Sequence, residues 1–446
     1  MRTTVEHEQK LEAPAGWELP DLGGEPIEPR VFTSVYHDTA DRSLARAGIT
    51  LRRRTERGLS VWQLKLPSDD ARLELEEPGG PSLPDTLRAL LQAHVRHDGL
   101  APVAELRTRR HGQLVNGAEV TIDDVRIMDA QRVVDEFSEI EVEGEPSVVK
   151  TIAKRLQKAG AKTVGLTPKL LRALPLPERA AETTPFESFR ARLREQLEAI
   201  LANDPGVRLG GDDENVHRMR VATRRARALL KAAAPLYVGD VEQLSLELQW
   251  LAGVLGDVRD LDVLVAHLEG QAATLAPADA AAAKRLLRGL QRNRTRARST
   301  LLKALEGERY ANLLDRFAAM LDALGPSETQ TPLLKLARKE LKKLRRDAKA
   351  LTDDSPDDDL HALRKRGKKV RYASELAGDD KTVKRAKALQ DVLGDHQDSV
   401  VAEERLRTLA AAASPDQAVA AGLLIALEHE RRADARATWR TVCNTL

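Results

Sequence analysis

The stretch Val5-Glu6-His7-Glu8-Gln9-Lys10-Leu11-Glu12 decides how the first part of this chain is read. Side chains of a strand alternate between faces, so Glu6, Glu8, Lys10 and Glu12 share one side and Val5, His7, Gln9 and Leu11 the other. The pattern recurs. Arg52 and Arg54 oppose Leu51; Gln63 and Lys65 oppose Trp62, Leu64 and Leu66; Arg72, Glu74 and Glu76 oppose Leu73 and Leu75. Further on, Arg107 and Arg109 share a parity, Thr121 and Asp123 oppose Val120 and Ile122, and Glu139, Glu141 and Glu143 oppose Ile140 and Val142. Up to about Leu174, Gly and Pro punctuate these segments, which predicts antiparallel strands. Asp85 to Val95 and Val148 to Ala159 read as helices. A charged face of both signs has two accounts, a sheet face turned to water or a barrel closed with its charges inward, and composition leaves both open.

The whole chain of 446 residues is long enough for two or three domains. Its 71 basic and 69 acidic residues leave a net charge of only +2, so an anion-binding surface must come from segregated charge. The single cysteine, Cys443, excludes an intramolecular disulfide and a cysteine-based metal site. Neither a signal-peptide core nor a membrane-length apolar run is found, which predicts a cytoplasmic protein.

Beyond Pro175-Leu176-Pro177 the composition turns to Ala, Leu, Arg, Glu and Lys at helical spacing, placing a boundary between Leu176 and Thr184. Breaks at Gly325-Pro326-Ser327 and Asp353-Asp354-Ser355-Pro356-Asp357 divide the helical part, and the part repeats itself. His217, Arg220, Arg224 and Arg227 lie at spacings of three and four, in a helix that Asp213 or Asn215 can cap. His361, Arg364, Lys368 and Arg371 return at an offset of 144 (361 minus 217). Leu255-Gly256-Asp257 with Asp260 likewise returns as Leu393-Gly394-Asp395 with Asp398. Two bundles of about four helices each are the simplest architecture for this. A solvated charged face accounts for one Arg-rich helix. Two like-charged stripes with few interspersed acids are better explained by a polyanionic ligand that neutralises them.

Glu6-x-Glu8-x-Lys10 resembles the ExExK signature of the CYTH superfamily, the triphosphate tunnel metalloenzymes. Tyr36-His37-Asp38-Thr39 with Leu44-Ala45-Arg46-Ala47-Gly48, the Leu51-Arg52-Arg53-Arg54 strand, Trp62 to Pro67, Arg72-x-Glu74 and Glu139-x-Glu141 follow in that family's order. The resemblance implies an antiparallel tunnel over residues 1–176 that binds Mg²⁺ or Mn²⁺ and hydrolyses a triphosphate. It assigns Glu6, Glu8, Glu139 and Glu141 to the metal, and Lys10, Arg52, Arg54 and Lys65 with Glu6 and Glu8 to catalysis. Arg72, Arg107, Arg109 and Lys169 fall to the substrate, and Glu74 and Asp123 to further acidic tunnel positions. Substrates within the family include inorganic triphosphate, ATP and thiamine triphosphate, and no residue here selects among them.

The two histidine-bearing helices resemble those of the CHAD domain, a pseudo-symmetric helical domain whose basic groove binds inorganic polyphosphate. The resemblance implies such a domain over 184–446, joined by a linker at 177–183, with His217, Arg220, Arg224, Arg227, His361, Arg364, Lys368 and Arg371 as polyphosphate contacts. A second basic run, Arg338 to Arg346, either extends the groove or is solvated. The expected fold is therefore α+β multidomain: a β tunnel with flanking helices, then an all-α pseudo-symmetric repeat. The expected function is a metal-dependent triphosphatase tethered to a polyphosphate binder, found in the cytoplasm and at polyphosphate granules. The alternative is a non-catalytic polyphosphate-targeting protein. Few aromatics and no base-reading motif argue against nucleic acid.

Overall fold

The structure, a computed structural model, describes residues 1–14, 16–68, 71–164, 168–174, 176, 183–328, 331–352 and 354–446. The expected linker, apart from Thr183, lies outside these residues, as do Pro175 and Asp353 of the segments quoted above. The chain divides into two compact units, Met1–Ala180 and Ala181–Leu446.

The first unit is one antiparallel sheet. Its strands are β1 (Arg2–Glu6), β2 (Glu8–Glu12), β3 (Glu25–Asp38), β4 (Thr50–Glu56), β5 (Leu59–Ser68), β6 (Ala71–Pro78), β7 (Ala101–Val115), β8 (Ala118–Asp129), β9 (Arg132–Glu143) and β10 (Lys162–Thr163). Their order is β1-β6-β5-β4-β3-β7-β8-β9-β2-β10. The opening stretch is thus shared between the two ends of the sheet: β1 pairs with β6, β2 with β9, and only His7 separates them. The sheet curls until its ends meet in one run of chain, which turns Glu6, Glu8 and Lys10 inward together.

An inward charged face leaves an apolar outer face that has to be covered. Leu11, Val115, Val120, Ile122, Ile140 and Val142 pack against Val149, Ile152, Ala153 and Leu156 of α3 (Pro146–Lys158). Full burial of a residue such as Leu156 contributes about 1.5–3 kcal/mol. Glu145 starts that helix by accepting hydrogen bonds from the amides of Ser147 (3.0 Å) and Val148 (3.2 Å). Towards β4, β5 and β6, Leu51, Trp62, Leu64 and Leu75 are buried, as are Leu87, Leu90 and Leu91 of α2 (Asp85–Val95). The Tyr36 to Gly48 segment also has a structural task. The buried Asp38 carboxylate accepts from the amides of Thr39 (2.7 Å), Leu44 (2.9 Å) and Ala45 (3.0 Å), fixing the short helix α1 (Ser43–Arg46).

The second unit is helical: α5 (Pro185–Leu209), α6 (Asp213–Ala232), α7 (Glu242–Ala272), α8 (Pro277–Glu306), α9 (Glu308–Ala323), α10 (Leu333–Lys349), α11 (Asp357–Leu376), α12 (Asp380–Ala410) and α13 (Pro415–Cys443), numbered to follow α4 (Lys169–Ala173) of the first unit. Thr184 opens it with a capping box closed by Glu187. The cap of α6 is Asp212, which accepts from the Glu214 amide, rather than the expected Asp213 or Asn215. Helices α5 to α8 pack in sequence, α10 to α13 do the same, and α9 is an addition to the first set. The halves join where α6 meets α11 and where α8 meets α13. Leu268, Leu287, Leu406 and Leu424 belong to one buried cluster along the second seam.

Candidate functional sites

The inward face of the sheet encloses a cavity of about 220 Å³ lined by nine basic and seven acidic side chains. Glu6, Glu8, Lys10, Arg52, Arg54, Lys65, Arg72, Glu74 and Glu141, which share strand faces, line it, and so does Lys169 of α4. They are arranged as two layers of charge.

In one layer Lys65 lies between two carboxylates, hydrogen-bonded to Glu6 and 3.5 Å from Glu74. Burial pushes the Glu74 carboxyl up to about 8, helped by its hydrogen bond to Glu6, with Lys65 opposing. Burial works in the same direction on Glu6, but the hydrogen bond from Glu74 and the Lys65 charge outweigh it and hold Glu6 below the usual carboxylate range. Glu143 is pushed to about 7 by burial and then by Glu6. Arg72 is 3.9 Å from Glu8. Glu74 Oε1 is buried without a hydrogen bond. Opposite, Arg52 donates to Gln63 (2.8 Å) and the Tyr36 hydroxyl (3.2 Å). Arg54 lies 4.5 Å and Arg110 5.8 Å from the ring centroid of Phe32.

The second layer is closed. Lys169 reaches Asp123 (2.8 Å), Glu139 (2.7 Å) and Glu141 (2.6 Å), and Lys10 reaches Glu139 (3.1 Å) and Glu141 (2.9 Å). Arg110 grips Asp123 with two hydrogen bonds of 2.7 Å and also binds Glu141. Burial penalises the Glu141 charge, yet Lys10, Lys169 and Arg110 together hold it well below the usual range. Behind this layer Leu170 of α4 packs with Tyr36, Leu106 and Val125.

One assignment changes. Arg107 and Arg109 are exposed, on the side of β7 opposite the buried Leu106 and Thr108, and the tunnel arginine of that strand is Arg110. Glu139, 2% exposed, and Glu141, both expected at the metal, are ion-paired to Lys10 and Lys169, and Glu141 also to Arg110. Asp123, fully buried, is ion-paired to Arg110 and Lys169. Among the described residues no three carboxylate or imidazole groups already converge on a point where a metal would sit. The donors suited to a hard divalent ion are Glu6, Glu8, Glu74 and Glu143, oxygen ligands of which two, Glu74 and Glu143, have their pKa values raised by burial and then by Glu6. Arg2, Arg30, Tyr36, Gln63, Glu76, Glu119 and Glu143 also line the cavity. Strand parity with Glu6, Lys65, Glu74 and Glu141 was the signal for Arg2, Gln63, Glu76 and Glu143.

Arg110→Ala is expected to destabilise the first unit by about 3 kcal/mol, because it strips a buried carboxylate of its bidentate partner. Arg107→Ala and Arg109→Ala should stay within about 0.5 kcal/mol. Urea denaturation of the full chain separates these outcomes.

In the helical unit the structure brings the two stripes together. Burial, and then Arg224, Arg364, Arg220 and Arg371, depress the Lys368 ammonium to about 7. Arg227 donates to Gln249 (2.7 Å), and Arg220 pairs with Asp260 (3.0 Å). The Nε atoms of Arg220, Arg227 and Arg364 are buried without hydrogen-bond partners. Burial and then Arg259 lower His217; burial and then Lys365 lower His361, which Gln397 bonds where the first half has Arg259. The repeated glycines each lie against a stripe arginine: a Cβ on Gly394 would meet Arg364 at a tight 3.3 Å, while one on Gly256 would meet Arg220 at 3.5 Å, an ordinary contact. The second basic run lies on α10, with Arg338, Lys339, Lys342, Arg345 and Arg346 exposed.

A curled antiparallel sheet with an inward charged face, followed by a duplicated basic helix set, defines a two-domain class. Residues 2–166 match the CYTH domain and residues 191–407 the CHAD domain. An uncharacterized protein of Mycobacterium tuberculosis (strain CDC 1551 / Oshkosh) is 33% identical over 426 residues, 85% of this chain and 82% of its own. The CHAD domain from the plant Ricinus communis is 30% identical, with a TM-score of 0.51 over 61% of this chain and 98% of its own. PptA from Streptomyces chartreusis is 23% identical, with a TM-score of 0.50 over 58% of this chain and 99% of its own. This chain belongs to the proteins that carry a CYTH domain followed by a CHAD domain. No helix among the described residues is long and apolar enough to cross a membrane.

Proposed function

We propose that the first unit is a metal-dependent triphosphatase, with inorganic triphosphate as its substrate, and that the second binds inorganic polyphosphate. The observation that carries the first part is the open layer of the tunnel, where carboxylates with raised pKa values face Arg52, Arg54 and Arg72. Mg²⁺ or Mn²⁺ held by Glu6, Glu8, Glu74 and Glu143 would neutralise those carboxylates and supply an activated water. Arg52, Arg54 and Arg72 bind phosphoryl oxygens and stabilise the charge that develops during transfer. Arg52 is pre-oriented by Gln63 and Tyr36. Lys65, hydrogen-bonded to Glu6 and 3.5 Å from Glu74, would offer a further cation to the phosphate chain. Lys10, Lys169 and Arg110 form the closed floor against which a short phosphate chain stops. Phosphate release from triphosphate, ATP and thiamine triphosphate, each with Mg²⁺ or Mn²⁺, tests this; comparable release from all three contradicts a preference for the inorganic substrate.

For the second unit the carrying observation is Lys368 among four guanidinium groups. A polyanion placed on them relieves their mutual repulsion. The sign of the pH effect follows. Free Lys368 is deprotonated above about 7, while a bound polyphosphate returns it towards its ordinary 10.5, so binding takes up a proton in that window. Affinity should fall as pH rises through the window, by up to about tenfold per pH unit. Lys368→Met should flatten the profile, measured by calorimetry in buffers of different ionisation enthalpy. Granule association in the cytoplasm follows from such binding. Co-localisation with stained polyphosphate tests it.

A further inference from the structure

The two basic stripes are related by the internal repeat, but the ends of their crossing are not alike. At one end Glu375 of α11 takes Arg225 of α6 at 3.3 Å and Arg371 at 3.2 Å. The same offset of 144 that relates His217 to His361 relates Arg225 to Lys369 and Lys231 to Glu375. The other end of the crossing therefore brings Lys369 towards Lys231, with a lysine in the place of the glutamate. Both lysines are exposed. Partial burial, and then Arg366 and Lys231, push the Lys369 ammonium below its ordinary range, with Glu340 opposing and Lys343 adding to the effect. Lys343 belongs to α10, whose exposed cations Lys339 and Lys342 continue the positive surface.

We propose that a long polyphosphate chain bound at the central cluster runs off in one direction only, over Lys231, Lys369 and Lys343 onto α10, and not past Glu375. This rests on the reading of the second unit as a polyphosphate binder. At the Glu375 end the flanking cations are already neutralised by an acid that would repel a phosphate chain. At the Lys231 end like charges face one another, offset in part by Glu340, 2.6 Å from Lys343, and by Asp347, 2.8 Å from Arg366. A linear polyanion gains contacts by following the second route, and each contact releases counterions.

The test uses the full chain with chelator present, short-chain and long-chain linear polyphosphate, and a salt titration. Lys231→Gln, Lys369→Gln and Lys343→Gln in one variant should lower long-chain affinity about tenfold and reduce the slope of log affinity against log salt by about 2. Short-chain affinity should change less than about twofold, because the central cluster is untouched. Arg225→Gln, at the closed end, should cost long-chain affinity far less than the triple variant. Wild-type long-chain affinity in the triple variant, or an equal loss in Arg225→Gln, overturns the one-directional route while leaving polyphosphate binding standing. Failure of the wild-type protein to bind any polyphosphate overturns both.

Discussion

Glu6→Gln is expected to cut metal-dependent phosphate release by at least about 100-fold while the fold persists. Glu6 is 6% exposed and meets both Lys65 and Glu74, so it carries the negative charge that two neighbours use. The amide keeps the shape and can still accept from Lys65, but it cannot offer a charged oxygen to a hard divalent ion. The substitution also removes a carboxylate that pushes Glu74 and Glu143 up, so both should fall from about 8 and about 7. Phosphate release and circular dichroism are measured together. Full turnover by a correctly folded Glu6→Gln protein excludes the open layer as the metal site.

The second large effect is expected in the helical unit. The variant carrying Arg220→Ala, Arg224→Ala, Arg364→Ala and Lys368→Ala should lose polyphosphate affinity by about 100-fold or more at low salt, and its salt slope should drop by about 3. Each pair alone, from α6 or from α11, should lose part of this, because the stripes form one cluster. The fold should survive. These groups repel one another, and the acids that lose a partner, Asp260 and Asp398, are both exposed, so removing the cations relieves repulsion in the free protein. Duplex DNA should compete poorly, its phosphates being wider apart than those of a phosphoanhydride chain. Unchanged binding by the fourfold variant, or equal affinity for DNA, contradicts the polyphosphate reading.

Much of the tunnel was legible because strand alternation reports the facing of a side chain directly. Glu6, Glu8 and Lys10 share a parity with Arg2 and Thr4, and the structure puts all five in one cavity. The reading failed on β7 for a physical reason. Leu106-Arg107-Thr108-Arg109-Arg110 carries arginine on both parities, and its inward face opens with the apolar Leu106, which plugs the tunnel against Leu170. Sequence alternation alone therefore chose the outward pair. Glu139 and Glu141 were placed on the correct face, but whether a carboxylate there meets a metal or a lysine depends on Lys169, which arrives from a separate helix. In the helical unit the stripes were readable from spacing. Their meeting at the α6–α11 crossing was not, since spacing says nothing about which helices touch. Gly256 and Gly394 stand out as a repeat in the sequence, but that each lies against a stripe arginine, Arg220 or Arg364, shows only in the structure.

The proposed function requires the tunnel to be a site of turnover and not only of binding. The most direct measurement is orthophosphate released from inorganic triphosphate by the full chain, followed with Mg²⁺ or Mn²⁺ and again with chelator. Repeated turnover that requires the metal and stops on chelation is the expected result. Triphosphate that binds in the presence of either metal but is never cleaved would contradict it and leave a protein that only grips phosphate chains.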